Sequence, residues 1–191
     1  MRDSDIPKEF MSFEDGQPFT NCKVCNRDLT EKNSHYVIEK AIRKYTGYNA
    51  WDVVFEYAIC IECAEGFRKE MSAESVSKIE QYFIENANFS LQAQRLSKIE
   101  GDPNIEDFTN QCLIKGLDKN QIEEYQIYGE CRGNRFIYGN MPYMICGEAM
   151  DDIAQLLSNQ TLDELDGFAG KYLGPSPELE GLFKGRKLIL I

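Results

Sequence analysis

Apolar and polar residues alternate in two segments of the first half of the chain, a pattern typical of strands with one buried face. The segments span residues 36–42 and 53–59, and the connection between them contains Gly47. We expect them to form a β-hairpin. The residues predicted to share one face of each strand are Tyr36, Ile38 and Ile42 in the first, and Phe55, Tyr57 and Ile59 in the second.

Helical spacing of apolar residues follows this hairpin. Residues 64–71 and 90–99 are predicted to be helical, and another helix is expected to start at Ser72, with Val76, Ile79 and Phe83 on its apolar face. The segment 100–104 contains a glycine and a proline, which interrupt regular structure. We therefore predict one domain over residues 1–100 and a second over residues 101–191, which could also pack as one unit.

The second half predicts a hairpin, two amphipathic helices and a final strand. The hairpin strands cover residues 124–131 and 135–138 around Gly133 and Asn134, and the strand covers residues 187–191. Thr161 and Glu164 are spaced as a capping box, so the second helix is expected to start there. The apolar faces are predicted to be Ala149, Met150, Ile153, Leu156 and Leu157 in the first helix, and Leu162, Leu165, Phe168, Ala169 and Tyr172 in the second.

Several segments show neither helical nor strand periodicity. Residues 1–20 contain Pro7, Gly16 and Pro18 and are expected to be irregular, and the region around Cys112 predicts a helix or a turn. Residues 139–145 are apolar and are predicted to be a buried connector or, alternatively, to line a pocket or an interface. No internal repeat is apparent. With 42% hydrophobic residues among 191, the chain is expected to fold as an α+β protein with a packed core.

Four cysteines form the most specific motif. Cys22 and Cys25 make one CxxC pair, Cys60 and Cys63 make another, and together they supply four thiolate ligands for a tetrahedral zinc ion. We therefore predict a structural Zn²⁺ site at these four residues. Redox-active dithiols, a four-cysteine iron site and reduced buried cysteines are the alternatives.

The order of elements around these cysteines resembles that of treble-clef zinc fingers. A CxxC turn, a β-hairpin and a CxxC that opens a helix follow one another between residues 21 and 71. The resemblance implies that the first pair lies on a knuckle whose backbone N–H groups point at the sulfurs. It implies that the second pair lies in the first helical turn, where N–H groups and the helix dipole stabilise thiolate. It implies a zinc module and no particular activity.

Other candidate groups give weaker signals. His35 is the only histidine and could serve as the base of an HNH-like nuclease, but that motif needs further histidine or asparagine partners, and the chain has no second histidine. The formal charge of −11 disfavours nucleic acid as a partner. Cys112, Cys131 and Cys146 show no ligand spacing and are expected to be buried.

These observations predict a non-enzymatic binding or scaffold protein with a structural four-cysteine zinc site, whose partner is another protein or a second copy of the chain. The alternative is an enzyme, acting by CxxC thiol redox chemistry or as an HNH-like nuclease.

The first 14 residues carry four acidic side chains and no apolar stretch, so we expect no export signal and no membrane span. Free cysteines in such a chain indicate the reducing cytoplasm.

Overall fold

One mixed sheet-and-helix structure is seen in the computed structural model, which describes residues 2–45, 47–48, 50–101 and 103–174. The sheet has six strands and all of its pairings are antiparallel, in the order β1-β5-β4-β2-β3, with β6 also pairing with β4. The strands are β1 (Arg2–Asp5), β2 (His35–Tyr45), β3 (Ala50–Cys60), β4 (Glu124–Arg132), β5 (Arg135–Tyr138) and β6 (Tyr143–Cys146).

The helices follow the strands in two groups. They are α1 (Ile61–Glu70), α2 (Ala73–Asn86), α3 (Phe89–Lys98), α4 (Glu106–Thr109), α5 (Gly147–Leu156) and α6 (Asn159–Phe168). A π-helical turn, Ala169–Leu173, extends the last of them. None of the helices in the described ranges combines the length and the apolar character needed to cross a membrane.

Both predicted hairpins are confirmed, with strands that extend beyond the predicted ends. Strand β2 pairs with β3 over its whole length and with β4 on its other side, which joins the two halves of the chain in one sheet. The predicted helix start at Ser72 is also confirmed, since its side chain accepts a hydrogen bond from the backbone of Ser75. The segment 139–145, predicted to be a buried connector, is one only in part: Asn140 is exposed, and Tyr143–Cys146 forms β6, whose four residues are all buried.

Three predictions need correction or lie outside the described residues. Arg2–Asp5 is not irregular but forms strand β1, because it pairs with β5 along the edge of the sheet. Helix α6 is capped by Ser158 instead of Thr161, and its Leu162, expected in the core, is exposed. The final strand predicted at residues 187–191 lies outside the described part of the chain.

The structure contains an internal repeat that the sequence analysis missed. A turn at Cys22, a strand pair and a helix beginning after Cys60 form the first unit, which ends with α2. A turn at Cys112, a strand pair and a helix beginning after Cys146 form the second unit, which ends with α6. In the second unit, the segment before Pro142 divides the equivalent of β3 into β5 and β6.

A pseudo-twofold axis relates the two units. In the sheet it passes between Glu39 of β2 and Tyr128 of β4, which face each other across the central strand pair. On the helical side it passes between Ser72 and Ser158, the caps of α2 and α6, whose hydroxyls lie 2.9 Å apart. The backbone N–H of each cap donates to a hydroxyl of the other unit, Ser72 to Thr161 at 3.0 Å and Ser158 to Ser75 at 2.8 Å.

Apolar side chains fill both sides of the sheet. Tyr57 packs with Phe168, which also contacts Phe67 of α1, so this side is covered by helices. On the other side, the entry segment contributes Phe10, which is fully buried against Phe136. The close approach of the Phe10 ring to β4 requires a glycine at position 129, because a Cβ there would lie 2.6 Å from that ring.

Candidate metal centre

The first cysteine pair lies on a tight turn between Asn21 and Asp28, which pair as an isolated bridge. The N–H of Cys22 donates to the carbonyl of Arg27 at 2.9 Å, and the N–H of Asn26 donates back to the carbonyl of Cys22 at 2.9 Å. Asn26 adopts the left-handed conformation, with φ of 58°, which asparagine tolerates better than most residues. This backbone reversal brings Cys22 and Cys25 to one side of the turn.

The second pair lies where β3 passes into α1. Cys60 is the last residue of the strand and caps the helix, and Cys63 belongs to the first helical turn. Two contacts hold this junction against the turn. The N–H of Cys60 donates to the sulfur of Cys22 at 3.4 Å, and the N–H of Lys23 donates to the carbonyl of Ala58 at 2.9 Å. The helix N-terminus therefore points its free N–H groups at the sulfurs.

All four predicted ligand residues converge. The four sulfur atoms lie within 4.8 Å of one another, and those of Cys25 and Cys60 are 3.8 Å apart. A tetrahedral ion with metal–sulfur bonds of about 2.3 Å places its ligands about 3.8 Å from each other. The spacing of the sulfurs therefore fits a four-coordinate metal ion.

The pKa values of the thiols also indicate that this position is suited to a cation. Burial raises the pKa of Cys22, but the N–H groups of Cys25, Cys60 and Val24 outweigh it and lower that pKa to about 7. Burial raises the pKa of Cys60 to about 11, and the neighbouring sulfurs reinforce burial in raising that of Cys63. Four thiolates so close together therefore need a positive ion between them.

Arg27 is a functional candidate that the sequence analysis did not single out. Its guanidinium pairs with Glu62 at 2.8 Å, between the knuckle turn and the first turn of α1. The hydrogen bond and charge of Glu62 raise the pKa of Arg27, with smaller contributions from the sulfurs of Cys60 and Cys25. The ion pair of Arg27 and Glu62 thus links the turn of Cys22 and Cys25 to the helix start beside the cysteine cluster.

The second unit has the same backbone arrangement as this site, but cysteine occupies only two of the four equivalent positions. The N–H of Cys112 donates to the carbonyl of Leu117 at 2.8 Å, Gly116 takes the left-handed conformation, and the N–H of Cys146 donates to the sulfur of Cys112 at 3.2 Å. Lys115 and Ala149 stand where the first unit has Cys25 and Cys63. Only two sulfur ligands therefore remain in the second unit.

Cys112 and Cys146 form a buried pair in the second unit. The thiol of Cys146 donates to Cys112 and, with the N–H groups of Lys115 and Cys146, lowers the Cys112 pKa to about 6 despite burial. The same contact raises the pKa of Cys146. The expectation that Cys112, Cys131 and Cys146 are buried is confirmed.

His35 lies outside the cysteine cluster. Its Nε2 atom is 2.7 Å from the carboxylate of Glu130 on the neighbouring strand β4. The imidazole is thus engaged in a cross-strand contact.

Fold and site together define a mixed α and β protein with a four-cysteine cluster suited to a structural metal ion. Comparison with known proteins adds no family to this description: no protein-family model, no curated protein and no solved structure matches the chain. The function therefore has to be argued from the geometry itself.

Proposed function

We propose that this protein is a non-enzymatic binding or scaffold protein whose first unit is held together by a structural zinc ion. The observation that carries the proposal is the convergence of two cysteines from a turn and two from a helix start. Four thiolates complete the coordination of zinc and leave no open position for water or substrate. Such a site stabilises a fold and does not activate a reactant.

The proposal includes a treble-clef identity for the first unit. The knuckle turn, the long β2–β3 hairpin and α1 follow one another as that superfamily requires, and the N–H of Cys60 points at the sulfur of Cys22. Zinc is the proposed metal because a closed tetrahedral shell of four cysteines is one of the usual ligand sets of structural zinc sites. The proposal includes the reducing cytoplasm as the location, because cysteines that bind metal as thiolates rather than form disulfides are typical of that compartment.

The partner in this proposal is another protein or a second copy of the chain. The acidic balance, 32 acidic against 21 basic residues, favours such a partner over nucleic acid. The boundary between two domains at residue 100 stays a prediction. The shared sheet and the Ser72–Ser158 contact support the alternative, in which the two halves pack as one unit.

Replacing one ligand tests the structural role of the metal. We expect Cys25→Ser to lose the zinc and to unfold the first unit, because metal binding and folding are coupled in such modules. Cys25 is exposed, so the change itself removes little packing. Metal analysis and circular dichroism measure both effects.

Two variants control the metal analysis. Cys131→Ser replaces a cysteine of β4, and His35→Ala removes the only histidine. Both are expected to keep one zinc per chain. A Cys25→Ser protein with unchanged melting temperature and spectrum would contradict the structural role, and loss of zinc from His35→Ala would show that the ligand set is wrong.

A further inference from the structure

A cavity of about 670 Å³ opens on the side of the sheet that faces the entry segment. Its floor consists of alternate residues of three neighbouring strands, which the register places side by side: Lys40, Ile42 and Lys44 of β2, Trp51 and Val53 of β3, and Tyr125 and Ile127 of β4. Residues near Lys8–Phe10 form one wall, and residues near Glu106 and Lys119 form the other. Cavities of this size and shape commonly bind small molecules.

The charge of the cavity is opposite to that of the molecule. Four lysines and two glutamates line it, although acidic residues outnumber basic ones in the whole chain. One of the lysines, Lys40, is neutralised, because its ammonium is 2.8 Å from Glu56 and donates to the carbonyl of Met11. Lys119 is also paired, with Glu106 at 3.2 Å, and Lys44 donates to the carbonyl of Lys119, so the excess positive charge of the cavity rests on Lys8 and Lys44.

Lys44 and Lys119 are held close together over one aromatic ring. Their ammonium nitrogens lie 5.4 Å and 5.6 Å from the centre of the Tyr125 ring. The pKa of Lys44 is lowered by burial and by the positive charge of Lys119. The charges of Asp118 and Glu106 oppose this shift, and Glu106 is 3.2 Å from the ammonium of Lys119. A bound anion would relieve the remaining repulsion.

The mouth of the cavity carries two exposed aromatic rings. Phe13 and Trp51 are 57% and 53% exposed, and they contact each other edge-on with centroids 5.4 Å apart. The backbone N–H of Phe13 donates to Glu56 at 2.7 Å, which fixes this part of the entry segment against the sheet. Large aromatic side chains left exposed beside a cavity provide a surface for a planar apolar group.

We propose that this cavity binds a small organic anion in which a carboxylate, sulfonate or phosphate is attached to an aromatic ring. The anionic group contacts the ammonium groups of Lys44 and Lys119, and the ring packs against Phe13 and Trp51. This binding site goes beyond the metal-stabilised role proposed above, and none of the four cysteines lines it.

The position of Trp51 provides a direct assay, because it is the only tryptophan in the chain. The probe is 8-anilinonaphthalene-1-sulfonate, an aromatic sulfonate that accepts energy from tryptophan, and the comparison is N-phenyl-1-naphthylamine, its uncharged counterpart. We expect saturable quenching of Trp51 by the sulfonate, weaker binding of the neutral dye, and loss of affinity as the salt concentration rises.

Three variants locate the anionic group. Lys44→Gln and Lys119→Gln are each expected to weaken sulfonate binding about fivefold or more, because each removes one cation from the cavity. Lys78→Gln removes the same charge from the exposed face of α2 and should bind as the parent does. Metal content and circular dichroism, measured on every variant, separate a failure of this site from a failure of the metal centre.

Absence of saturable quenching would overturn the proposal. Equal affinity for the neutral dye, or unchanged sulfonate binding by both Lys44→Gln and Lys119→Gln in folded protein, would overturn it as well.

Discussion

Glu39 is the most unusual single residue of the sheet. Its side chain lies at the pseudo-twofold axis with only 2% of its surface exposed, and it accepts hydrogen bonds from the hydroxyls of Tyr57 and Tyr128. Burial raises its pKa to about 8, although both tyrosines lower it. We therefore expect Glu39 to carry a proton at neutral pH in the folded protein.

The pH dependence of stability tests this state. Between the ordinary pKa of 4.5 and the folded value of about 8, the folded state holds a proton that the unfolded state releases. The free energy of unfolding should therefore fall by at most about 1.4 kcal/mol per pH unit across this window. In Glu39→Gln, whose amide replaces the neutral acid, this part of the slope should vanish in urea titrations.

Comparison with the parent protein isolates the contribution of Glu39, because the cysteine thiols titrate in both proteins. Parallel pH profiles for the parent and Glu39→Gln would show that Glu39 is ionised in the fold.

At the scale of elements, the cap residues join the two units. Ser72 and Ser158 each begin a helix, and their hydroxyls and N–H groups bind across the axis. Ser75 and Thr161, which complete this network, are fully buried. On the helical side of the sheet, a set of hydrogen bonds among four small hydroxyl residues therefore joins the two units.

Removal of one cap should destabilise the contact between the two units as well as the helix that it caps. We expect Ser158→Ala to lower the free energy of unfolding by about 1–2 kcal/mol, because it removes a helix cap and leaves a buried hydroxyl partner unsatisfied. Ser97→Ala, at an exposed position near the end of α3, is the control and should change stability by less than about 0.5 kcal/mol. Equal stabilities of the two variants, measured by denaturant unfolding, would contradict a joining role for the caps.

The periodicity of apolar residues predicted most of the individual strands and helices, but it did not predict how they are arranged. Alternation of Phe55, Tyr57 and Ile59 was enough to identify β3, and the spacing of Val76, Ile79 and Phe83 was enough to identify α2. Strand β1 was missed because its residues, Arg2–Asp5, are polar and it is held by backbone pairing at a sheet edge. The cap at Ser158 was missed because Thr161 and Glu164 offer a stronger local motif.

At the scale of the whole molecule, the repeat leaves a short trace in the sequence, where Tyr57, Ile59 and Cys60 recur as Tyr143, Ile145 and Cys146, but the sequence analysis missed it. Its two most recognisable positions, Cys25 and Cys63, are replaced by Lys115 and Ala149 in the second unit, so no second CxxC motif remains. The cavity lined by Lys44 and Lys119 was missed as well, because these lysines approach each other only when β2 contacts the segment after Cys112. The four clustered cysteines, by contrast, were predictable, since ligand spacing is local.

The repeat predicts that adding two cysteines to the second unit creates a second metal site. We expect the double variant Lys115→Cys, Ala149→Cys to bind a second zinc ion, because the turn and helix start already place Cys112 and Cys146 as the first unit places Cys22 and Cys60. The control is Lys115→Ser, Ala149→Ser, which changes the same positions without adding sulfur. A folded double-cysteine variant that binds no additional metal would show that the second unit is not equivalent to the first.

The central claim is that the unmodified chain carries one structural zinc ion on Cys22, Cys25, Cys60 and Cys63. The most direct test is metal analysis of the purified, untagged protein together with a count of thiols that react before and after denaturation. We predict one zinc per chain and four thiols that become reactive only when the metal is released. A metal-free folded protein, with thiols that cycle between dithiol and disulfide, would contradict the account.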